Sequence, residues 1–272
     1  MKKIILCLVV AAVPAFAQKA ALEPTNAKEA AAKKAAEEKI VDEKYQALVA
    51  KLPPDQQAWE KLLQENLGNG FYLPIHKRDK IAGRSTAWDF VQDDPKLPRV
   101  LLIGDSVSRG YTQATRKELA GVANVHRAPE NCGPTANGVK KLDVWLNGEK
   151  WDIIHFNFGI HDRATKPADY EQRLDELFTR LKATGAKVIW ASTTPIPPDT
   201  KDGPTATQAI VEKNEIAAKL AAKHGAATDD LFGFITLLVA KVQNPKDVHF
   251  TGEGYDLLGK QVATSIKAAL KL

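Results

Sequence analysis

Short apolar runs alternate with longer stretches of helical periodicity from residue 97 onward, and this alternation limits the folds open to the chain. The apolar runs have the length of buried strands and span residues 100–103, 122–125, 151–158, 186–191 and 226–228. Helical patterns separate or follow them at residues 115–119, 139–146, 170–184, 205–224 and 254–270. Strands connected through helices pair in parallel by right-handed crossovers. We therefore expect residues 96–272 to form a three-layer α/β/α domain around a mostly parallel, five-stranded sheet.

The first seventeen residues have the pattern of a secretory signal peptide. Lys2 and Lys3 precede an apolar run, and Ala15-Phe16-Ala17 has the small-residue pattern of a cleavage site. The run is too short for a transmembrane helix. Cleavage after Ala17 would remove Cys7 and leave one thiol, so no internal disulfide is expected. We expect a secreted or periplasmic protein.

Two further segments precede the α/β domain. Residues 18–51 are rich in Ala and Lys and predict a solvated helical or flexible tail, which could contact the cell envelope. A coiled-coil segment is the alternative for this tail. Residues 52–95 predict an N-terminal extension that packs on the domain. It should begin with a short helix capped by Asp55 and stopped by Gly68, and residues 69–95 show no clear period.

Composition argues against several classes of partner. The 272 residues carry a formal charge of only +5, to which Lys2 and Lys3 contribute two. No basic block interleaved with aromatic residues marks a nucleic-acid surface, and no apolar stretch suits an integral membrane span. The sequence lacks H-E-x-x-H, C-x-x-C and the glycine motifs of phosphate-binding loops. No metal or cofactor is implied.

Polar residues suited to acyl-transfer chemistry follow the predicted strands. Ser106 comes after the first strand at the start of a helix, where it is either a nucleophile or only a helix cap. A glycine-containing block at residues 130–135 follows the second strand, and residues 159–162 deliver a histidine after the third. Asp247 and His249 precede the last helix. The carboxyl ends of parallel strands share one edge, so a hydroxyl, backbone donors and an Asp/His pair would meet there.

In order and spacing, these blocks resemble the motifs of the SGNH (GDSL-type) hydrolase superfamily. The resemblance covers residues 97–266 and rests on Val100-Leu-Leu-Ile-Gly-Asp-Ser106, Gly133-Pro-Thr135, Gly159-Ile-His-Asp162 and Asp247-Val-His-Phe-Thr251. It implies the flavodoxin-like α/β/α fold and the ester hydrolysis of that superfamily. In general texture, the chain is especially similar to its secreted, sugar-acting esterases.

The resemblance also implies a role for individual residues. Ser106 would be the nucleophile, His249 the base, and Asp247 the acid that orients His249. The oxyanion hole would combine the backbone N–H groups of Ser106 and Gly133 with a side-chain donor at His161. The candidates for substrate binding are Arg109, Tyr111 and Asn131.

Two positions depart from the pattern of the superfamily. His161 stands where Asn is usual, and a neutral imidazole with the right tautomer can still donate one hydrogen bond. The acid usually stands three residues before the histidine, where this chain has Lys246. Asp247 is only two residues before His249 and would point away on a regular strand, so a loop must bring the two together. The alternative is a Ser–His dyad oriented by a backbone carbonyl.

Other residues in these blocks have structural interpretations. We expect Asp105 and Asp162 to accept hydrogen bonds within their own turns. Core packing is the expected role of His155, Cys132, Trp88, Trp145 and Trp190, although tryptophans can also stack on sugar rings.

The leading functional hypothesis is an exported serine esterase that removes small acyl groups, acetyl above all, from carbohydrate. Its substrate would be a small molecule or a polysaccharide ester. A lipid or thioester hydrolase is the alternative within the superfamily, and a large apolar groove beside Ser106 would favour it. A catalytically inactive carbohydrate- or envelope-binding module is the alternative outside enzymes. Side chains of Ser106 and His249 held beyond hydrogen-bond reach would favour that module.

Overall fold

The computed structural model describes residues 23–200 and 203–272, so the predicted signal peptide lies outside the described residues. The described residues divide into two compact units, with the boundary between Lys51 and Leu52. In the first unit, helix α1 spans Glu23–Val49. Its alanines have high helix propensity, and exposed ion pairs such as Lys34–Glu38 at 3.9 Å link successive turns. The described part of the Ala/Lys-rich tail is therefore helical.

The second unit begins with the extension, which holds more helix than the sequence pattern predicts. Helix α2 spans Pro54–Asn66, one turn of π-helix follows at Gly68–Tyr72, and helix α3 spans Leu73–Ile81. The pattern analysis misses α3 because only Leu73 and His76 of this helix are buried.

The prediction that Asp55 caps the first of these helices is wrong. Pro53 is the N-cap residue, and Pro54 occupies the first helical position. Proline suits this position because it lacks an N–H that the first turn would leave unpaired. Asp55 lies one residue further in, where its carboxylate accepts a hydrogen bond from the Gln56 N–H at 2.9 Å.

A buried tryptophan joins the extension to the rest of the unit. The indole N–H of Trp88 donates to the carbonyl of Ala128 at 3.2 Å, and that of Trp59 donates to the carbonyl of Trp88 at 2.7 Å. Three apolar side chains pack around Trp88 in a small core of their own: Leu63, Leu67 and Leu73.

The centre of the unit is a five-stranded sheet with strand order β2-β1-β3-β4-β5. Every neighbouring pair is parallel. The strands are β1 (Arg99–Ile103), β2 (Asn124–Arg127), β3 (Ile153–Phe156), β4 (Lys187–Ala191) and β5 (Ala227–Asp229). The predicted parallel α/β sheet is confirmed.

Helices cover both faces of the sheet and complete the three layers. The helices that follow β1 are α4 (Ser106–Glu118), α5 (Thr135–Leu146), α6 (Pro167–Ala183), α7 (Gly203–Lys223), α8 (Leu231–Thr236), α9 (Val239–Val242) and α10 (Gly252–Leu270). Helices α4 and α10 pack on one face, and α5 and α6 pack on the other. Side chains alternate along β1, so Val100 and Leu102 enter the first core while Leu101 and Ile103 enter the second.

Strand β2 begins two residues later than predicted. The N–H groups of Val122 and Ala123 both bond to the carbonyl of Leu119, at 2.9 and 3.1 Å, and so complete the turn after α4. Asn124 makes the first bond toward the sheet, to the carbonyl of Pro98 at 2.8 Å. An apolar run alone does not reveal where a turn ends and a strand begins.

Within residues 23–200 and 203–272, no helix has the length and apolar character needed to cross a bilayer.

Candidate active site

Ser106 occupies the sharp turn between β1 and α4. Asp105 is extended, and its carboxylate accepts a hydrogen bond from the Val107 N–H at 2.9 Å. Asp105 is therefore the helix cap, and Ser106 is the first helical residue with a hydroxyl that the cap does not use. A side chain at Gly104 would put its Cβ 2.6 Å from that of Ser108, so the turn can be this tight only with glycine there.

A buried arginine fixes the backbone of this turn through hydrogen bonds. Arg127, at the end of β2, donates to the carbonyls of Gly104 and Asp105 at 3.0 and 2.9 Å. It also donates to the Ser108 hydroxyl at 2.6 Å. Three hydrogen bonds to one turn fix the backbone on both sides of Ser106, and they satisfy much of a charge that is costly to bury.

His249 and Asp247 reach Ser106 from the loop between α9 and α10. His249 Nε2 lies 2.7 Å from Ser106 Oγ, and His249 Nδ1 lies 2.7 Å from Asp247 Oδ1. Lys246 adopts a left-handed backbone with φ of 57° directly before the pair. The Asn244 N–H donates to the carbonyl of His249 at 2.9 Å and closes the tight loop in which Asp247 and His249 face each other. The loop is anchored by Gln243, whose amide donates to the carbonyl of Pro195 at 2.8 Å.

The chemistry of these groups fixes the direction of the hydrogen bonds. A carboxylate only accepts, so His249 Nδ1 carries the ring proton and donates it to Asp247. Nε2 is then an acceptor and receives the hydroxyl hydrogen of Ser106. This arrangement is ready to remove the serine proton when Oγ attacks a carbonyl carbon.

The loop after β2 brings the Gly133 backbone to the same edge. Gly133 has a left-handed φ of 64°, and its N–H has no hydrogen-bond partner among the described residues. The neighbouring Cys132 N–H bonds to the carbonyl of Gly104 at 3.2 Å, which ties this loop to the nucleophile turn. Burial raises the pKa of the Cys132 thiol to about 12, so this sulfur stays protonated and unreactive at neutral pH.

The loop after β3, residues 159–162, contains a structural aspartate and an exposed histidine. Asp162 is buried and accepts from both the N–H and the hydroxyl of Thr135, each at 2.7 Å. It thereby joins the loop after β3 to the start of α5, as expected for a structural residue. His161 is exposed, and its ring makes no hydrogen bond to the described residues. Donation of a hydrogen bond by His161 to the oxyanion therefore stays a prediction.

The three substrate-binding candidates occupy different environments. Arg109 is partly buried, with its guanidinium 5.6 Å from the ring centre of Tyr72. Asn131 is partly buried, and its amide oxygen has no partner among the described residues. Tyr111 is 1% exposed and lies edge-on to the ring of His155, so its side chain belongs to the core and not to a substrate surface. For Tyr111 the structure corrects the sequence prediction.

Sequence reasoning misses one residue at this site, Tyr72 of the extension. Its ring lies 5.6 Å from the guanidinium of Arg109, and Ser106 and Asp105 are near enough to its hydroxyl to influence the pKa of Tyr72, which burial raises. The residue lies outside the stretch that resembles a known family. The only signal in the sequence is an aromatic pair, Phe71-Tyr72, directly after the glycine-rich Gly68-Asn69-Gly70.

Several other residues named from the sequence are parts of the core. His155 is buried beside Asp229, with 2.9 Å between Nε2 and Oδ2. The three tryptophans considered for sugar stacking are all buried: Trp88, Trp145 and Trp190. The described residues contain no group of three or more His, Cys, Asp or Glu side chains that could hold a metal ion.

Comparison with solved structures shows a common fold. The chain is similar to a lipase/acylhydrolase from Enterococcus faecalis, with 21% identity and a TM-score of 0.57 over 63% of this chain and 96% of that one. It is also similar to the acetyl xylan esterase AlAXEase, with 15% identity and a TM-score of 0.53 over 63% and 99%. A third structure is Axe2, an acetylxylan esterase from Geobacillus stearothermophilus, with 13% identity and a TM-score of 0.53 over 64% and 94%.

Comparison with curated proteins finds no match. The sequence profile of the GDSL-like lipase/acylhydrolase family matches residues 102–257. This stretch is more than half of the chain and contains Ser106, Gly133, Asp247 and His249. The chain therefore belongs to the GDSL-like lipase/acylhydrolase family of SGNH ester-bond hydrolases.

Proposed function

We propose that this protein is an exported serine esterase that removes small acyl groups, acetyl above all, from carbohydrate. The observation that carries the proposal is the continuous set of hydrogen bonds from Asp247 through His249 to Ser106. In this proposal, Ser106 is the nucleophile, His249 the general base and Asp247 its orienting acid.

The first half of the reaction forms an acyl-enzyme. As Ser106 Oγ bonds to the acyl carbon, its proton passes to His249 Nε2, and the carbonyl electrons move to the oxygen. The N–H groups of Ser106 and Gly133 are the proposed backbone donors to that oxyanion, with His161 as a side-chain donor. One such donor contributes roughly 3 to 4 kcal/mol in comparable hydrolases. The oxyanion electrons then re-form the carbonyl, the ester bond breaks, and the imidazolium protonates the departing sugar oxygen.

The second half returns the enzyme to its starting state. His249 takes a proton from water while the water oxygen attacks the acyl carbon. The C–Oγ bond then breaks, and Ser106 recovers its proton from the imidazolium. The product acid leaves, and no group outside the chain and water is consumed.

Neither of two cavities in the described residues is a groove for a lipid chain at Ser106. One of them, of about 10 Å³, is lined by Val107, Ser108 and Asn157 among others and is too small to hold an acyl group. A cavity of about 620 Å³ lies elsewhere, between the extension and the β2 edge of the sheet, and touches neither Ser106 nor His249. A long acyl chain needs an apolar groove that begins at the nucleophile.

Two observations favour carbohydrate as the leaving group. Two of the structures with this fold are acetylxylan esterases. In addition, Phe71 is 62% exposed beside Tyr72, with 5.0 Å between their ring centres. An exposed aromatic ring near a nucleophile is a suitable surface for stacking a sugar ring. The inactive binding module is disfavoured because Ser106 and His249 are within hydrogen-bond reach.

The test is hydrolysis of 4-nitrophenyl acetate and of acetylated xylan by residues 18–272 and by its Ser106→Ala variant. We expect the substitution to reduce kcat by at least about 10³-fold on both substrates. Ser85→Ala is the matched control, because it removes an exposed hydroxyl from the extension. Equal rates in wild type and Ser106→Ala would remove Ser106 as the nucleophile. Faster hydrolysis of long-chain than of acetyl esters would favour the lipid alternative.

Export is proposed from the N-terminal sequence and has its own test. Expression of the full chain in a Gram-negative host, followed by fractionation, should yield a periplasmic or extracellular protein that begins at Gln18. A cytoplasmic protein that retains Met1 or Lys2 would contradict the proposed signal peptide.

A further inference from the structure

Arg109 carries a guanidinium that no polar group of the described residues satisfies. Its Nε is buried without a hydrogen-bond partner, and its side chain forms no hydrogen bond or ion pair with any described residue. Two other arginines with a buried Nε contrast with it. Arg99 forms ion pairs with Asp93 and Glu149 at 2.7 and 2.9 Å, and Arg127 makes the three hydrogen bonds to the nucleophile turn. An unpaired charge is costly to bury, so Arg109 is suited to receive a partner from outside the chain.

One helical turn separates Arg109 from the nucleophile. Helix α4 begins at Ser106, and the Arg109 N–H donates to the carbonyl of Asp105 at 2.9 Å, so the first turn of the helix is regular. Residues three apart lie on one face of a helix, and helical side chains lean toward its N-terminus. The side chain of Arg109 therefore extends over the turn that begins with Ser106.

Aromatic contacts position the guanidinium of Arg109 without using its N–H groups. Its carbon lies 5.6 Å from the ring centre of Tyr72 and 5.9 Å from that of Trp88, and such cation–π contacts restrict the side chain. The terminal nitrogens are not buried, so their N–H groups are open to a bound molecule. Phe71, the exposed ring proposed above to stack on a sugar, also contacts Tyr72. The stacking ring and the guanidinium therefore belong to one cluster.

We propose that Arg109 binds a carboxylate of the substrate, so that the preferred substrate is an acetylated acidic sugar, a uronate unit of a saccharide. The inference rests on the esterase function proposed above and narrows its substrate class. A guanidinium can donate two parallel hydrogen bonds to one carboxylate, and this pairing fixes the orientation of the bound group as well as its charge.

The position of Arg109 suits this role in specificity. One helical turn is about 5.4 Å, a distance that a single sugar ring can span. A carboxylate on Arg109 would therefore leave an acetyl ester of the same or the next sugar unit within reach of Ser106 Oγ. Arg109 transfers no proton, because the serine proton goes to His249. The role also gives the extension a function, because Tyr72 and Trp88 hold the guanidinium in place.

The experiment compares wild type with Arg109→Gln on acetylated polygalacturonate and on the same polymer after methyl esterification of its carboxylates. We expect kcat/KM of wild type to be at least about 10-fold higher on the free acid. Arg109→Gln should abolish this preference, mainly through KM, and should lose at least about 10-fold more activity on the free acid than on 4-nitrophenyl acetate. Arg109→Lys keeps the charge and should retain part of the preference. It also serves if glutamine lowers the melting temperature and so unfolds the protein.

Arg180→Gln is the matched control, because it removes the same charge from α6, which packs on the other face of the sheet. The proposal is overturned if wild type does not prefer the free acid, if Arg109→Gln keeps the preference, or if Arg180→Gln loses it equally. Ser106→Ala in parallel separates the two claims. Activity that survives Ser106→Ala refutes the esterase mechanism itself. Activity that is lost in Ser106→Ala but shows no preference for the free acid in wild type refutes only the role of Arg109.

Discussion

At the scale of single residues, the orientation of His249 depends on a carboxylate that is 47% exposed. Asp247 accepts from His249 Nδ1 at 2.7 Å and from the His249 backbone N–H at 3.3 Å. Both bonds go to the same oxygen and keep the aspartate aligned with the ring despite its contact with solvent. The pair therefore selects the histidine tautomer that can accept the serine proton.

We predict that Asp247→Asn reduces kcat on the order of 10²- to 10⁴-fold with little change in KM. An asparagine amide can donate to Nδ1, which would leave the proton on Nε2 and remove the base. Asp256→Asn is the control, since it neutralises an exposed carboxylate on α10 and should keep wild-type activity. Steady-state kinetics on 4-nitrophenyl acetate give kcat and KM for the two variants. Full activity in Asp247→Asn would instead support a Ser–His dyad oriented by a backbone carbonyl.

The residues of this site differ in how far the sequence could predict their positions. Ser106 and Asp105 were predictable because their geometry is local: a strand, a two-residue turn and a helix start. The loop at Asp247 was also predictable, because the side chains of residues i and i+2, such as Asp247 and His249, do not face each other on a regular strand. Tyr72 was not predictable, because its contact with Arg109 depends on how the extension packs and leaves no periodic signal.

At the scale of elements, the site depends on the packing of α4 against α10. Helix α4 begins with Ser106, and α10 begins just after the loop that carries His249. The two helices approach each other closely at Gly259, where an added Cβ would lie 2.4 Å from the Cβ of Ala114 and 2.9 Å from the backbone nitrogen of Thr115. Neither neighbour can rotate away, so the distance between the helices depends on glycine at this position.

We predict that Gly259→Ala destabilises the protein by about 1 to 3 kcal/mol, because the helices must separate to admit the methyl group. It should also lower kcat, since the separation moves His249 relative to Ser106. Gly252→Ala makes the same change on the same helix, where an added Cβ meets open space. That control should be stabilised by roughly 0.5 to 1 kcal/mol. Thermal unfolding distinguishes them, and equal melting temperatures in both variants would contradict the close-packing argument.

Elements with a regular pattern of burial were the predictable ones. Strands β1, β3 and β4 were found because buried parallel strands are mostly continuous apolar runs. Strands β2 and β5 are more polar, and the apolar residues at 122–125 and 226–228 predicted them only with shifted bounds. The longer helices on the sheet were found because each has one apolar stripe, whereas the short helices α8 and α9 were not predicted. Helix α3 and the π-helical turn were not, since two buried side chains in α3 and none in the turn give no period to recognise.

At the scale of the whole unit, residues 52–95 are joined to the sheet by charge as well as by apolar contacts. Asp93 of the extension meets His126 of β2 at 2.6 Å and Arg99 of β1 at 2.7 Å. Arg99 also stacks on Trp151 at 4.4 Å from the ring centre. Strand β2 is an edge of the sheet, so these contacts cover an edge that would otherwise be open to pairing. The alternation of strands and helices predicted the sheet, but not which segment would cover this edge.

The partial burial of His126 beside Asp93 should make the stability of the unit depend on pH. Burial lowers the pKa of His126 below its ordinary value, and the charges of Arg99 and Arg116 act in the same direction against Asp93. The folded state therefore binds the proton less readily than the unfolded state. The stabilisation is complete above the unfolded pKa of about 6.5 and is lost as the pH falls through the folded pKa.

We predict that the melting temperature of wild type falls further between pH 8 and pH 5 than that of His126→Gln, because glutamine stays neutral throughout this range. Glutamine can still donate to Asp93, so the variant should remain folded at pH 8 and its curve should be the flatter one. His161→Gln is the control, since it removes an exposed imidazole and should follow the wild-type curve. Calorimetry or circular dichroism at several pH values gives the comparison. Parallel curves for wild type and His126→Gln would mean that this histidine does not couple proton binding to folding, and that the pH dependence arises elsewhere in the unit.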